Sequence, residues 1–583
     1  MAANLTSTQE IGSRLLGSKT RSIIIPMVDM TDDDDYVSSS AMPLPTLRSM
    51  MLAAPPWLRR QSSAMGVLVG VLPSFVADYM NHKPRKASSD TKISALDGLR
   101  GVCCLMVLHM HWAFAVTDSN EGGSAAVNTQ FLFHRPFFYL LWAGTSHVYI
   151  FFVMSGYVLS VKCLNMIHQG LSIHKVITSA VFRRAIRIFL PPIALLFIYF
   201  LAIRAHIFDR GIQVFNENRW FGEQQIRYFE NPPQYLHSFS AQFWDVLGAV
   251  HHLVDPSTHF GNLPEYGNYD THLWTMPVEF YCSMTLFVVL LATCQLKTRY
   301  RVSLHGALVL FCWLTKHTNH GLFFAGLFIA EMDILAKKSS DPKSQLPTSL
   351  DTQDSIFHRL QWGSPEIWPY LCVSNIISAV AFVGGLYILS MPLLWADETP
   401  GYTRLLSYMP SFMGMEHRME SLRALGAVLA VWPITYTSAT SAPGSTPIIR
   451  FFLANPVSKY LGQISFALYL VHGFVIRSLG YSILPSIYNM VIRDPERRTA
   501  LAVQRYPQGN IPAPSRLTPG ELGTIWVLGY LIVLPICVWA ADLFYRFIDI
   551  KSVNLGRWIE QKMTKDEPAP RSGPLIVVED KIY

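Results

Sequence analysis

Long apolar runs constrain the fold of this chain more than any other feature. Of its 583 residues, 50% are hydrophobic and only 15% are charged, against about 25% charged in an ordinary soluble protein. Several runs approach or exceed the roughly 20 apolar residues that a helix needs to cross a bilayer. The sequence therefore predicts an all-α, polytopic helical bundle in a membrane, with its length divided into spans and not into soluble domains.

Ten segments are predicted to cross the membrane. They cover about residues 97–116, 137–161, 182–204, 272–293, 302–316, 318–336, 368–394, 422–439, 457–479 and 522–547. Basic residues fall mostly on one side of this topology, at Lys162, Lys175, Arg183, Arg184, Lys297, Arg299, Arg301, Lys337 and Lys338. The positive-inside rule then places both termini in the cytoplasm, although the Arg-rich stretch IRDPERR before the tenth span departs from that rule.

Three regions follow from this pattern. Residues 1–92 are predicted to form a cytoplasmic, largely disordered tail with a short apolar segment at 63–80. Residues 93–552 would form the membrane domain, and 553–583 a cytoplasmic C-terminal tail. The eight cysteines lie in or at the ends of apolar runs, so we expect small hydrophobes, with no disulfide framework and no metal site.

Ionisable residues interrupt the first predicted span, LRGVCCLMVLHMHWAF at residues 99–114. A charged side chain in hydrocarbon costs several kcal/mol, so such residues usually mark a function. Arg100 and His111 are eleven positions apart, which returns them to within roughly 20° of the same helix face and about 16 Å apart along the axis. His109 points elsewhere. The structural alternative is that Arg100 anchors the membrane boundary and His111 packs between helices.

The spacing of Arg100 and His111 resembles the first span of the acyltransferase 3 family of integral-membrane O-acyltransferases, in which an Arg is followed ten residues later by a His. Five later segments also resemble elements of that family, in the same order: HVYIFFVMSGYVLS (147–160), FRRAIRIFLPP (182–192), HLWTMPVEFYC (272–282), LGQISFALYLVHG (461–473) and FYRFIDIKSVN (544–554). The last match is partial, because Asp549 stands for the usual Glu and Ser552 for the usual Pro.

The resemblance implies transfer of an acyl group from acetyl-CoA or another acyl-CoA to a hydroxyl, without a permanently bound cofactor. His111 would be the general base or, alternatively, a transient acyl carrier. Arg184 and Arg187 would grip the phosphates of coenzyme A, unless they are only cytoplasmic flanking charges. Arg100 would join that grip or stabilise developing negative charge. Glu279 would orient His111 or another base, unless it is paired structurally.

Other residues are assigned to packing. We expect Ser155 to serve helix contacts beside Gly156. We expect His472 to make a packing hydrogen bond, with a catalytic role as the alternative. The HHLVD stretch at 251–255 only faintly resembles the paired histidines of soluble acyltransferases, and we attribute it to chance.

The sequence therefore predicts a membrane O-acyltransferase, with acetyl as the favoured acyl group. Its partners would be acyl-CoA, a hydroxylated acceptor that is a glycan or a small natural product, and the lipid bilayer, with no nucleic acid. A transporter that uses the intramembrane Arg, His and Glu as a substrate or ion path is the alternative from another class. An inactive family member is a further alternative.

Overall fold

The computed structural model describes residues 72–74, 92–116, 135–217, 230, 233–255, 269–340, 373–393, 395–440, 452–498 and 518–564. Throughout these residues the regular structure is helical, and none of them lies in a β-strand. The helices are α1 Lys92–Phe114, α2 Gly144–His168, α3 His174–Arg204, α4 Asp209–Glu217, α5 Phe239–Val254, α6 Thr275–Thr293, α7 Thr298–Leu314, α8 Thr318–Ser340, α9 Val373–Leu389, α10 Tyr402–Ser407, α11 Met415–Thr440, α12 Pro456–Val475, α13 Tyr481–Val491, α14 Pro519–Phe544 and α15 Ile550–Met563. The all-α prediction is confirmed for this part of the chain.

Six helical segments of the described residues are long and apolar enough to cross a membrane. They are Gly144–His168, His174–Arg204, Thr271–Thr293, Thr318–Lys338, Pro456–Val491 and Gly520–Met563. The other four predicted spans overlap α1, α7, α9 and α11, of which α7 and α9 have only 17 residues each. The chain is therefore a multi-pass helical membrane protein with six spans supported by length and composition.

Glycines allow the closest helix crossings. At the crossing of α2 and α8, a Cβ added to Gly326 would lie 2.9 Å from the carbonyl carbon of Gly156, which no real side chain tolerates. Small residues at such crossings bring two backbones together, and this packing helps helices associate where hydrocarbon gives them no hydrophobic driving force. The expected packing role of the Ser155–Gly156 segment agrees with this crossing.

The Arg-rich stretch before α14 has a local explanation. Arg497 Nη2 donates to Glu521 Oε2 at 2.8 Å, and Glu521 also forms a capping box with Thr518 at the start of α14. A charge that is paired with a carboxylate is a weaker topological signal than a free one. Arg301, which the sequence placed among the flanking charges, is only 2% exposed and pairs with Glu331.

The helix of the last span continues beyond its predicted end. α14 passes through a π-helical turn at Tyr545–Asp549 into α15, which ends at Met563. The domain boundary drawn at residue 552 therefore falls inside a helix. The Ser552 hydroxyl donates to the Ile548 carbonyl at 2.8 Å, whereas a proline at this position would interrupt the helix. Residues 1–71 and 565–583, which hold most of both predicted tails, lie outside the described residues.

Candidate active site

His111 lies near the C-terminal end of α1, where one of its ring nitrogens is held by a carboxylate. Its Nδ1 is 2.8 Å from Glu230 Oε1 and 3.1 Å from His272 Nε2. Within the described residues no hydrogen bond is made to His111 Nε2, and 16% of the side chain remains exposed. A carboxylate on Nδ1 favours the tautomer that carries its proton there, so the lone pair is on Nε2.

His272 lies between two carboxylates just before α6. Its Nδ1 is 2.7 Å from Asp270 Oδ1, and its Nε2 is 2.8 Å from Glu230 Oε1. The Asp270 carboxylate also accepts the backbone N–H of His272, at 2.9 Å, which fixes the turn that leads into the helix. Both ring nitrogens thus face acceptors, and only a doubly protonated imidazole can donate to both.

Arg477 supplies the second positive charge to these carboxylates. It lies in a π-helical turn, Ile476–Gly480, directly after α12. Its Nη2 is 3.2 Å from Asp270 Oδ1 and donates to the Tyr199 hydroxyl at 2.7 Å, while its Nε lies 3.7 Å from Glu230 Oε2. The site therefore balances two carboxylates against Arg477 and a protonated His272, which leaves His111 neutral.

The two carboxylates stay ionised at neutral pH. Burial raises the pKa of Glu230, but the attraction of His272 and His111 outweighs burial and holds that pKa well below its usual range. Burial likewise raises the pKa of Asp270, but Arg477 and His272 lower that pKa by more than burial raises it. The pKa of Asp270 is therefore about 2. Both groups therefore act as hydrogen-bond acceptors throughout the neutral range.

His472 completes a group of three imidazole rings. Its ring centroid is 4.3 Å from that of His272 and 5.1 Å from that of His111. Its Nδ1 is 2.6 Å from the Tyr469 carbonyl oxygen, and the hydroxyl of Tyr469 accepts from Thr275 at 2.9 Å. Two segments singled out in the sequence, at residues 272–282 and 461–473, thus meet in space.

The predicted arginines form a second group. Arg184 donates through Nη2 to Glu279 and through Nε to Ser283 Oγ, the latter at 2.6 Å. Arg100 and Arg184 are electrostatic neighbours of Arg187. Arg187 is an exposed residue, and its guanidinium makes no hydrogen bond or ion pair to any residue that the structure describes. Arg187 is therefore the member of the group with its donors available to an anion.

Glu279 lies in the arginine group, and its contacts with described residues are at Arg184 and not at His111. This placement matches the structural pairing that the sequence left open. The carboxylate beside His111 is Glu230, which the sequence did not single out because it lies in a polar linker without motif or periodicity. Asp270 was missed for the same reason. Arg477 carried a usable signal, since it is a charge inside a predicted span.

The fold and site together define a multi-pass helical membrane protein with a buried histidine–carboxylate centre. The family model described as "Acyltransferase domain" matches residues 93–546. The chain belongs to this acyltransferase 3 family, and it is an acyl-transferring enzyme. The resemblance inferred from the six sequence segments is thereby confirmed, and the reaction class counts against the transporter alternative.

Three relatives agree with this class. The chain is 27% identical to O-acetyltransferase PaAT-1 of Phomopsis amygdali, over 91% of this chain and 95% of that protein. It is 24% identical to Acyltransferase R4 of a Phoma species, over 69% and 86% of the two chains. It is 23% identical to Acyltransferase clz18 of Cochliobolus lunatus, over 71% and 87%. No solved structure matches the chain.

Proposed function

We propose that this chain is a membrane O-acetyltransferase that moves an acetyl group from acetyl-CoA to a hydroxyl, with His111 as general base. The observation that carries the proposal is the state of His111. Its Nδ1 is held by Glu230 at 2.8 Å, and its Nε2 has no hydrogen-bond partner among the described residues. A neutral imidazole with one nitrogen fixed and the other free is the arrangement that a general base requires.

The chemical step is an acyl transfer. His111 Nε2 takes the proton of the acceptor hydroxyl while the hydroxyl oxygen bonds to the thioester carbonyl carbon. The carbon–sulfur bond then breaks, and the proton passes from His111 to the departing thiolate, which yields coenzyme A and the acetyl ester. Glu230 stabilises the imidazolium that forms in between, because its carboxylate already accepts from Nδ1.

The arginine group is suited to the phosphates of the donor. The guanidinium of Arg187 has no partner among the described residues. Arg184 uses Nη2 and Nε to bind Glu279 and Ser283. Arg100 is an electrostatic neighbour of both arginines. Eleven residues of α1 join Arg100 to His111, a distance of about 16 Å along the helix axis. An extended pantetheine arm can bridge such a gap, which would place phosphates at one end and the thioester at the other.

A hydroxyl of the acceptor receives the acetyl group. The name of the Phomopsis relative, an O-acetyltransferase, supports acetyl as the acyl group and oxygen as the acceptor atom. The acceptor is a glycan or a small natural product. We keep ten spans, with both termini in the cytoplasm so that the arginine group meets acyl-CoA on that side.

The proposal is tested by acetyl-CoA binding, measured by calorimetry on the full chain in nanodiscs. Wild type should bind one equivalent, and the Arg184→Ala/Arg187→Ala variant should lose at least tenfold in affinity because the phosphates lose their donors. Arg183→Ala is the matched control, since Arg183 pairs with Glu560 at 3.2 Å, and it should bind like wild type. His111→Ala should also bind, with acetyl transfer reduced by about 10²- to 10⁴-fold.

Two results would refute this function. Folded wild-type protein without saturable acetyl-CoA binding would remove the donor. Full acetyl transfer by His111→Ala, in the presence of an accepted hydroxyl compound, would remove the base.

A further inference from the structure

The three histidines of the site converge on one point. One ring nitrogen from each of His111, His272 and His472 lies within 4.8 Å of the others. Glu230 Oε1 lies beside two of the rings, at 2.8 Å from His111 Nδ1 and from His272 Nε2. Three ring nitrogens from three separate segments of the chain therefore meet, and a carboxylate oxygen lies against two of these rings.

His472 is the least satisfied member of this group. The residue is only 1% exposed, and its Nε2 is buried without a hydrogen-bond partner. Because Nδ1 donates to the Tyr469 carbonyl at 2.6 Å, the lone pair of the ring must be on Nε2. A buried acceptor without a donor is destabilising, and a bound cation would satisfy the lone pair of His472 Nε2.

The outer contacts of these rings also have the pattern of metal ligands. Histidines that bind metals donate their second ring N–H to a carboxylate or a backbone carbonyl, which fixes the tautomer. His272 has Asp270 in that position at 2.7 Å, and His472 has the Tyr469 carbonyl. Three imidazoles with a carboxylate form a donor set that zinc-class ions accept.

We propose that His111, His272, His472 and Glu230 bind one divalent ion of the zinc class, and that the bound ion inhibits acetyl transfer. Binding displaces the proton from His272 Nε2, as metal binding to histidine requires. The carboxylates Glu230 and Asp270 supply two negative charges, of which Arg477 neutralises one.

Inhibition follows from the tautomers of His111 and rests on its proposed role as base. If the ion takes Nδ1, the proton of the neutral ring moves to Nε2. If the ion takes Nε2, the proton stays on Nδ1. In both cases the ring has no free lone pair with which to accept the hydroxyl proton.

The metal site is tested by titrating Co²⁺ into metal-free, full-length protein that carries a purification tag without histidine. Wild type should bind one Co²⁺ with the intense visible absorption of a four-coordinate ion, and added Zn²⁺ should abolish that absorption. His472→Asn keeps a donor for the Tyr469 carbonyl but lacks the Nε2 ligand, and it should weaken Co²⁺ binding at least tenfold. His305→Asn is the matched control, because His305 is equally buried with an unpaired ring nitrogen but lies on α7.

The outcomes separate this proposal from the proposed function. Absence of the four-coordinate spectrum in wild type would overturn the metal site, as would unchanged Co²⁺ affinity in folded His472→Asn, while acetyl-CoA binding remains a separate measurement. Zn²⁺ should lower wild-type acetyl transfer at least tenfold, and a chelator should restore it. Activity that rises when Zn²⁺ is added would overturn both the inhibition and the role of His111 as base.

Discussion

At the scale of single residues, the state of His111 depends on a carboxylate that is far from it in sequence. Glu230 and His111 are separated by 119 positions, yet their side chains meet at 2.8 Å. Glu279, which the sequence offered as the orienting carboxylate, lies at Arg184 instead. Two glutamates are thus divided between the histidine group and the arginine group, and their substitutions should have different kinetic effects.

The variant Glu230→Gln should lower kcat by roughly 10- to 100-fold, by analogy with the loss caused by removing the hydrogen-bond partner of a metal-bound histidine. The amide cannot stabilise the imidazolium that forms on His111. The Kd of acetyl-CoA, measured by calorimetry, should stay within about twofold of wild type, because Glu230 is not in the arginine group. Steady-state kinetics on the same preparation give the kcat.

Glu279→Gln is the matched substitution and should act on the donor side. Loss of the Arg184 partner should change the Kd of acetyl-CoA more than kcat. An unchanged kcat in Glu230→Gln would show that His111 does not need this carboxylate.

At the scale of helical elements, π-helical turns position charged residues of the site. Arg477 lies in one π-helical turn, Ile476–Gly480, and Asp549 ends another, Tyr545–Asp549. Asp549 is an electrostatic neighbour of Arg187 and Arg100. One turn therefore places Arg477 in the histidine group, and the other places Asp549 beside the arginine group. Such turns add a residue to a helix and are frequent at functional sites. A close glycine contact accompanies the first of them.

Gly473→Ala should displace His272 without unfolding the bundle. A Cβ at this position would lie 2.5 Å from His272 Nδ1 and 3.2 Å from Arg477 Nη2, so the imidazole must shift from the position in which it pairs with Asp270. We expect acetyl transfer to fall at least tenfold. The control Gly384→Ala lies in α9, where an added Cβ has no atom within 4 Å, and should retain full activity. Equal activity of the two variants would contradict this packing argument.

At the scale of the whole molecule, a second buried charge network joins helices away from the site. Arg301 Nη2 on α7 is 2.6 Å from Glu331 Oε1 on α8, and the Glu331 side chain is fully buried. His168 Nε2, at the end of α2, is 2.8 Å from the same oxygen. Removing one member of such a network leaves the others buried and uncompensated.

Glu331→Gln should therefore destabilise the protein by about 3–5 kcal/mol. The measurement is thermal unfolding in detergent, with acetyl-CoA binding at low temperature as a check of the folded state. Glu560→Gln removes the partner of Arg183 at a site where the arginine side chain is 43% exposed, and it should cost less than about 1 kcal/mol. A melting temperature for Glu331→Gln as high as that of Glu560→Gln would show that the network is not stabilising.

The sequence by itself determined the class of fold and much of the chemistry. Apolar run length predicted the six spans that the structure supports, because hydrocarbon thickness sets the number of residues that a span needs. The eleven-residue spacing fixed the shared face of Arg100 and His111, because helix geometry is local. The family elements identified the reaction class in the same way, through residues at short fixed spacings.

Only the tertiary structure decided which charges meet. Glu230 and Asp270 come from a long linker, and Arg477 follows a helix that begins more than 180 residues after Asp270. No local periodicity links such residues, and their pairing is fixed by the cost of burying a charge without a partner. The same physical requirement placed Glu279 on Arg184 and left His111 to Glu230, a choice that depends on how the helices pack and not on their order in the chain.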